Sequence, residues 1–142
     1  YKRQLSAEAL GIMEVLNKLT VEYSKTRKQF GAPIGSFQAL QHRMVDNFMA
    51  FEQSKSMVYR GICESTSFNK NDIDINQFLK TAHAVKALIA KNSKQIGDES
   101  IQIHGGIGMT DELNIGHFVK RLMMINVLFG DGDFHRQCFS QN

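Results

Sequence analysis

Long hydrophobic runs are missing from this sequence. The longest apolar stretch, Leu122 to Phe129, has eight residues and is interrupted by Asn126. A transmembrane helix requires about 20 consecutive apolar residues, and the first residues do not have the pattern of a signal peptide. The sequence therefore predicts no membrane span and no secretory leader.

Cysteine is scarce, and the histidines are not paired in metal-binding patterns. Cys63 and Cys138 have neither the spacing of metal ligands nor the density of a secreted disulfide scaffold. The five histidines form no HxxxH or HExxH pair. We therefore expect no metal site, reduced thiols and a cytoplasmic location.

The sequence also lacks any block of charge of one sign. It has 17 Lys and Arg against 14 Asp and Glu, a net charge of +3, and the two signs are interspersed. This balance argues against nucleic acid as a partner. The densest basic cluster, residues 25–28, suits a few phosphate groups better than a duplex.

Length and composition fit one globular domain. A hydrophobic content of 42% and a charged content of 22% are ordinary for such a domain. The 142 residues can bury one good core but are too few for separate catalytic and cofactor domains. Because the chain begins at Tyr1 rather than at Met, we expect residues 1–142 to be a single domain of a longer protein.

Apolar residues recur at helical spacing along most of the chain, and no strand with clean alternation is found. The pattern predicts an all-α fold, an up-and-down four-helix bundle with a short extra C-terminal helix. The polar residues 64–73 are expected to form a surface connection. The predicted helices cover residues 5–24, 37–63, 75–103, 110–128 and 132–140.

Helix starts are predicted from capping residues. Ser36 and Asp74 are the expected N-caps of the second and third helices. Thr110, followed by two acidic residues, is the expected start of the fourth helix, because acidic side chains favour the positive end of a helix.

The turn between the first two helices concentrates polar and aromatic groups that suit a dinucleotide. The Arg27 guanidinium can bind a pair of diphosphate oxygens, the Gln29 amide can meet polar edges, and the Phe30 ring can stack on a purine. Alternatively, Arg27 and Lys28 are solvated charges that offset the dipole at a helix C-terminus.

A second unusual segment, Gln102 to Met109, has glycines at positions 105, 106 and 108. Glycines interrupt a helix and cost conformational entropy, so their clustering indicates a sharp turn or the close approach of a ligand. The alternative is a simple helix C-cap before the next helix.

Together the two segments resemble the C-terminal domain of the acyl-CoA dehydrogenase family. Tyr-x-x-x-Arg-x-x-Phe-Gly-x-x-Ile-x-x-Phe-Gln starts at residue 23, and Gln-x-x-Gly-Gly-x-Gly starts at residue 102, on the far side of two predicted helices. The order and the bundle are those of the family, and the resemblance spans nearly the whole chain. It implies a bundle that completes an FAD site and packs with other bundles into tetramers.

The resemblance assigns cofactor-binding roles to six residues. It implies that Arg27 contacts the diphosphate of a flavin bound in a neighbouring subunit, with Gln29 and Phe30 near the adenosine half. Gln102, Gly105 and Gly106 match the loop that approaches the same FAD, where glycines let backbone N–H groups reach anionic oxygens.

The resemblance also implies a reaction, for which this chain lacks the usual base. A carboxylate removes a proton next to an acyl thioester while a hydride passes to the flavin. In most of the family this base is a glutamate in a Tyr-Glu-Gly-Thr-like segment, whose place is taken here by residues 128–135 without a glutamate. A second family position, near Tyr1, has no carboxylate either.

Asp131 is the nearest acid to the common position, and one interpretation makes it the catalytic residue. The alternative makes Asp131 an N-cap of the last short helix, with Asp133 and His135 as solvated or capping neighbours. Some bacterial relatives with a similar Phe-Gly-Asp segment look like the small subunit of a heteromeric dehydrogenase.

Three functions are therefore open. The first is the oligomerisation and FAD-site domain of an acyl-CoA dehydrogenase, acting on an acyl-CoA bound mainly by other segments. The second is a non-catalytic helical module or the small subunit of a heteromer, and the third is a flavin enzyme with another reaction, such as oxygenation. A homo-oligomer, dimer or tetramer, or a heteromer with a related subunit is expected, since Met44, Phe48, Phe51 and Met57 do not fit one narrow helix face.

Overall fold

Five helices follow the apolar stripes of the sequence and confirm the predicted bundle with its short C-terminal helix. The structure, a computed structural model, describes residues 2–70 and 74–141. Helices α1 and α2 are joined by a hairpin of two short strands and a 3-10 turn, and a second 3-10 segment follows α3. The elements are α1 (Lys2–Thr26), β1 (Lys28–Gln29), β2 (Ala32–Pro33), a 3-10 turn (Ile34–Ser36), α2 (Gln38–Asn69), α3 (Ile75–His104), a 3-10 segment (Gly105–Met109), α4 (Ile115–Val127) and α5 (Gly132–Gln141).

The core lies between α1, α2, α3 and α4, and α5 packs against α3. The core side chains of α1 and α4 follow at three- and four-residue spacing, and those of α2 and α3 include seven-residue steps, as amphipathic helices require. Burial of such side chains is the main source of stability in a bundle of this kind. The buried core residues are Ala9, Met13, Leu16, Ala50, Phe51, Val58, Val85, Ile89, Ile96, Ile115, Val119, Leu122 and Ile125.

A buried amide fixes the antiparallel register of α2 and α3. The Asn92 side chain donates to the Ala50 carbonyl at 2.9 Å and to Ser54 Oγ at 3.0 Å. Nearer the end of α3, Arg43 forms an ion pair with Glu99 at 2.5 Å. A slide of one helix along the other would leave the buried Asn92 amide without partners, which is costly in an apolar interior.

The predicted end of the second helix is wrong, because α2 continues to Asn69. Residues 64–69 are helical, and two contacts explain why this polar sequence does not leave the helix. Arg60 binds Glu64 one turn further along at 2.9 Å, and the ring of Phe68 stacks on Phe78 of α3 with centroids 4.9 Å apart. Residues 71–73 of the predicted connection lie outside the described residues.

Two predicted helix starts are also wrong, and a third is confirmed. The Ser36 hydroxyl donates back to the Pro33 carbonyl at 2.7 Å, so Phe37 precedes α2 instead. Thr110 donates back to Ile107 at 3.1 Å, and α4 begins only at Ile115. In both cases the hydroxyl is used by the preceding turn. Asp74 is the predicted N-cap of α3 and accepts from the Asn76 N–H at 3.1 Å.

Gly35 provides a test of how tightly the hairpin packs on α1. A Cβ at this position would lie 2.9 Å from Ser24 Oγ and 3.0 Å from the Ser24 carbonyl oxygen, so backbone would have to move. We expect Gly35→Ala to lower the free energy of unfolding by about 1–3 kcal/mol. Chemical denaturation, followed by the loss of the helical circular-dichroism signal, measures this change.

Gly11→Ala is the matched control for Gly35→Ala. Gly11 is an exposed residue within α1, and a Cβ there meets nothing within 4 Å. Because alanine has the higher helix propensity, this variant should be more stable by up to about 1 kcal/mol. Equal effects of the two substitutions would contradict the packing of Gly35.

Candidate functional site

The hairpin after α1 presents a strained and exposed aromatic residue. Lys28 pairs with Pro33 and Gln29 with Ala32, which leaves Phe30 and Gly31 as the two-residue turn. Both turn residues have positive φ, 51° for Phe30 and 81° for Gly31, as a tight hairpin turn of this kind demands. Glycine tolerates this conformation easily, but phenylalanine does not. The Phe30 side chain is 95% exposed, so its own fold hardly covers it.

Other contacts hold the hairpin against the bundle. The Ile34 N–H donates to the Arg27 carbonyl at 2.8 Å, and the Ile34 side chain is buried. The Gln41 amide of α2 donates to the Gly35 carbonyl at 2.9 Å, and Phe30 makes an edge contact with Phe37. The turn is therefore a fixed projection from the bundle.

The glycine segment begins where α3 ends. Gly105 has φ 66° and ψ −144°, and its N–H donates to the Ile101 carbonyl, so it serves as the helix cap. That N–H is therefore used within the chain, so the close approach of a ligand to Gly105 would depend on the missing side chain and not on the N–H. Gly105 and Gly106 are both exposed, and a Cβ at either would meet nothing within 4 Å. The segment thus offers an open surface without side chains.

Tyr23 and His104 bring the two predicted motifs together. Their rings are stacked with centroids 4.3 Å apart, and the Tyr23 hydroxyl donates to the His104 carbonyl at 3.4 Å. His104 Nδ1 lies 2.7 Å from the Ser100 carbonyl oxygen and therefore carries a hydrogen. Burial lowers the pKa of His104, while that hydrogen bond acts in the opposite direction. The end of α1 and the end of α3 therefore form one surface.

Arg27 lies one helical turn beyond Tyr23 on this surface. Its N–H donates to the Tyr23 carbonyl at 2.9 Å, which fixes the backbone. Its side chain is exposed, and across residues 2–70 and 74–141 no hydrogen bond or ion pair to its guanidinium is found. Gln29 and Gln102 are exposed as well. One end of the bundle thus has an exposed cation, two exposed amides, the exposed ring of Phe30 and the exposed glycines 105 and 106.

Asp131 lies at a different place, in the connection from α4 to α5. One of its carboxylate oxygens accepts from the Phe134 N–H at 2.8 Å, so Asp131 caps α5 as the alternative interpretation predicted. The residue is exposed. Phe129 and Gly130 before it both have positive φ, 59° and 100°, so the chain reverses sharply just ahead of the carboxylate.

His135 is buried, and its expected solvation is wrong. The residue is 0% exposed, because the α4–α5 connection folds back over it. Its Nε2 lies 3.1 Å from the Phe129 carbonyl oxygen, and its Nδ1 lies 2.8 Å from Nδ1 of His83 on α3. Asp133, by contrast, is exposed and pairs with Arg136.

Lys86 is a second buried polar group that holds this connection. Its side chain is 0% exposed, and its ammonium donates to the carbonyls of Ile125 and Asn126 in the last turn of α4. A cation at the C-terminus of a helix is stabilised by the helix dipole and by the carbonyls that have no partner within the helix.

The roles of Lys86 and His83 and the burial of His135 were not predicted from the sequence. A signal for Lys86 was present, since it lies on the apolar stripe between Val85 and Ile89, where a solvated lysine does not belong. The histidine pair had no local signal, because its two members are 52 residues apart in the chain.

The predicted site residues therefore fall into two groups at separate places. His104 adjoins the first group, and His83 contacts the segment of Asp131. These two histidines are about six turns apart on α3, which is about 30 Å along its axis. One chain alone does not place Arg27 and Asp131 against the same reacting atoms.

Neither a metal cluster nor a membrane span is found in the part of the chain that the structure describes. No three His, Cys, Asp or Glu side chains there are close enough to share a metal ion. Within the same residues, every helix is too short or too polar to cross a bilayer.

Comparison with known proteins gives consistent matches along the whole chain. Residues 2–142 match the family described as acyl-CoA dehydrogenase, C-terminal domain. Acyl-CoA dehydrogenase IpdE2 of Mycolicibacterium smegmatis is 39% identical over 117 residues, which cover 82% of this chain and 34% of that protein. The chain thus spans about a third of the length of the relatives that it matches.

Two solved structures share the fold and some sequence. Butyryl-CoA dehydrogenase from Megasphaera elsdenii has a TM-score of 0.87 at 25% identity, over 99% of this chain and 35% of that one. A structure described as PigA with FAD and proline has a TM-score of 0.85 at 28% identity, over 99% of this chain and 35% of that one.

The family match covers nearly all residues, the relative exceeds 30% identity over most of the chain, and the bundle coincides with that of solved family members. The chain therefore belongs to the acyl-CoA dehydrogenase family, of which it carries the C-terminal domain.

Proposed function

We propose that this domain completes an FAD site and joins subunits in an oxidoreductase that oxidises an acyl-CoA thioester. The observation that carries the proposal is the contact of Tyr23 with His104, which brings both family motifs to one end of the bundle. The proposal includes the remainder of the enzyme, since the part that matches this chain is 34% of the relative's length.

The residues at the Tyr23–His104 end fit a dinucleotide. The Arg27 guanidinium has the geometry to bind a diphosphate bidentately, and the exposed ring of Phe30 offers a face for stacking. Gly105 and Gly106 leave space beside it for the cofactor. Gln29 and Gln102 supply amide donors and acceptors. When bound, FAD accepts the hydride that leaves the substrate.

The separation of the two groups of residues supports a site shared between subunits. Arg27 and the glycine segment would contact the flavin of a neighbouring subunit, as the family resemblance implies. The segment that carries Asp131 would face the chain's own substrate, about 30 Å away along α3. In this arrangement the FAD site is incomplete without a second bundle.

Asp131 is the carboxylate that we propose as base for the proton next to the thioester. Its segment occupies the place of the family's glutamate, and it is exposed. One oxygen accepts the Phe134 N–H, which leaves the other for proton transfer. Aspartate is one methylene shorter than glutamate, so the substrate would have to approach the connection more closely.

An apolar face on α2 supports assembly. Val45, Phe48 and Met49 are each about half exposed, whereas Phe51, nearly one turn after Phe48, is buried in the core. A shallow groove of about 660 Å³ runs from Phe48 and Met49 to Leu88 of α3. We propose that another bundle, from the same chain or a related subunit, covers this face. Cys63 is exposed and Cys138 is half-buried, and no disulfide joins cysteines within residues 2–70 and 74–141, which suits a cytoplasmic enzyme.

The role of Arg27 predicts a specific loss of cofactor. Arg27→Ala in the full chain should weaken FAD binding by about 1.5–3 kcal/mol, because one charge-assisted contact is lost. Titration of the apoprotein with FAD, followed by flavin fluorescence, measures the change. Lys25→Ala removes a nearby exposed charge and should have little effect. If both variants lost the same FAD affinity, the loss would reflect only the net charge of the region, and the contact assigned to Arg27 would be rejected.

The role of Asp131 predicts a loss of rate without a loss of stability. Asparagine is as good an N-cap as aspartate, so Asp131→Asn should keep the Tm of the full chain. If Asp131 is the base, reduction of an artificial electron acceptor by a panel of acyl-CoA thioesters should fall by at least about 100-fold. Undiminished activity would assign the base to another residue or to a partner subunit.

No activity in the unchanged protein, together with bound flavin, would favour the small subunit of a heteromer or a different flavin reaction such as oxygenation. Absence of both flavin and activity, alone and after mixing with a related subunit, would favour a non-catalytic helical module.

Assembly through the α2 face predicts a change of mass. Phe48→Glu should convert the oligomer to smaller species at micromolar concentration, because a charge would be buried in an apolar contact. Light scattering measures the mass. Met123→Glu on α4, which is 58% exposed, is the control and should leave the mass unchanged. A monomer before any substitution would contradict the proposal.

A further inference from the structure

The Phe129–Gly130–Asp131 segment adopts a conformation that its own sequence does not favour. Two successive residues have positive φ, and the first is a phenylalanine, 54% exposed, whose side chain gains little from burial. L-residues other than glycine are rare in this region because Cβ approaches the carbonyl oxygen. A contact from outside the segment is needed to keep this shape.

The His135 imidazole makes such a contact with the segment. Its Nε2 lies 3.1 Å from the Phe129 carbonyl oxygen. The segment is also tightly packed at Gly130. A Cβ at this position would be 3.1 Å from His135 Nε2 and 2.5 Å from a ring carbon of Phe134. A carbonyl oxygen only accepts, so His135 must carry its hydrogen on Nε2.

His83 fixes that hydrogen on the correct nitrogen. The Nδ1 atoms of His83 and His135 are 2.8 Å apart, and one of the two must donate. In neutral His135 the hydrogen is already on Nε2, so its Nδ1 accepts and His83 Nδ1 donates. The pair therefore has one hydrogen-bonded arrangement with both rings neutral, and it orients His135 towards Phe129.

His83 lies on the same part of α3 as Lys86, which connects α3 to α4. Lys86, one turn after His83, binds the carbonyls of Ile125 and Asn126. Ser93 Oγ binds the Asn126 side chain at 3.0 Å. Thus α3 holds the backbone on the N-terminal side of the segment through Lys86, and at Phe129 through the histidine pair.

We propose that His135, oriented by His83, is a positioning residue that sets the place of the Asp131 carboxylate in the reaction. Neither histidine touches the reacting atoms. His135 acts through the Phe129 carbonyl, and His83 acts through the tautomer of His135. This proposal rests on the proposed function, in which Asp131 takes the proton.

Two amide variants of His135 test the proposal with matched polarity. The amide nitrogen of glutamine overlays Nε2 and can donate to the Phe129 carbonyl, whereas that of asparagine overlays Nδ1 and reaches towards His83. We expect His135→Gln in the full chain to keep kcat close to the unchanged value. His135→Asn should lower kcat by about tenfold or more with little change in KM, since a misplacement of about 1 Å costs up to about 100-fold in rate.

His83 is tested by the same logic. Asparagine at position 83 keeps a donor where Nδ1 was, so His83→Asn should be nearly as active as the unchanged protein, and His83→Leu should resemble His135→Asn. His117→Asn changes an exposed histidine of α4 and should have no effect. Flavin content and Tm are measured for all variants, so that a folding defect is separated from a loss of rate.

Neutron diffraction on the unchanged protein tests the hydrogen positions independently of activity. Hydrogen on Nε2 of His135 and on Nδ1 of His83 is expected, and any other arrangement of the neutral pair overturns the proposal. Equal kcat values for His135→Gln and His135→Asn also overturn it. If the unchanged protein oxidises no acyl-CoA while the hydrogens are as expected, the proposed function fails and the histidine pair remains a structural contact.

Discussion

The stacking of Tyr23 on His104 is the contact on which the candidate FAD surface depends. The two segments that resemble the family are separated by α2 and α3, and neither alone distinguishes a ligand site from a helix end. Because the end of α1 lies against the end of α3, the Arg27 hairpin and the glycine segment become neighbours. Burial of the His104 ring lowers its pKa and favours the neutral form that stacks on a phenol.

Helix α3 organises both regions of interest through opposite means. At its C-terminal end, glycines remove side chains and leave an open surface beside the hairpin. In its first half, Lys86 binds backbone carbonyls in the last turn of α4, and His83 contacts the ring of His135, whose Nε2 lies against the Phe129 carbonyl. A rigid helix of 30 residues thereby sets the distance between two regions that the sequence shows only as separate motifs.

The fold could be predicted from the sequence where a regular pattern decides it. Helical periodicity identified every helix and the all-α class, because core packing in this bundle follows one stripe per helix. The boundaries at residues 64–69 and at Thr110 were wrong, since local polarity was outweighed by the Phe68–Phe78 stack and by a hydroxyl used in the preceding turn. Neither the stacking of two rings nor the use of a hydroxyl by the preceding turn can be read from the periodicity of apolar residues.

Only those residues of the candidate site that lie in a sequence motif could be predicted. Asp131 was correctly given two interpretations, and its capping bond to Phe134 is now seen. His135 was expected to be a solvated or capping neighbour of Asp131, whereas the structure buries it completely. Its burial depends on His83, a partner that no local pattern could indicate.

The exposed ring of Phe30 has a consequence for how subunits and cofactor come together. A phenylalanine held at positive φ with 95% of its surface in water is an apolar group that its own chain does not shelter. If the flavin and a second subunit both cover it, each ligand strengthens the affinity for the other by the same factor, as thermodynamic reciprocity requires. Flavin binding and subunit association would then be coupled equilibria. Loss of the flavin would weaken subunit association through the hairpin that carries Phe30.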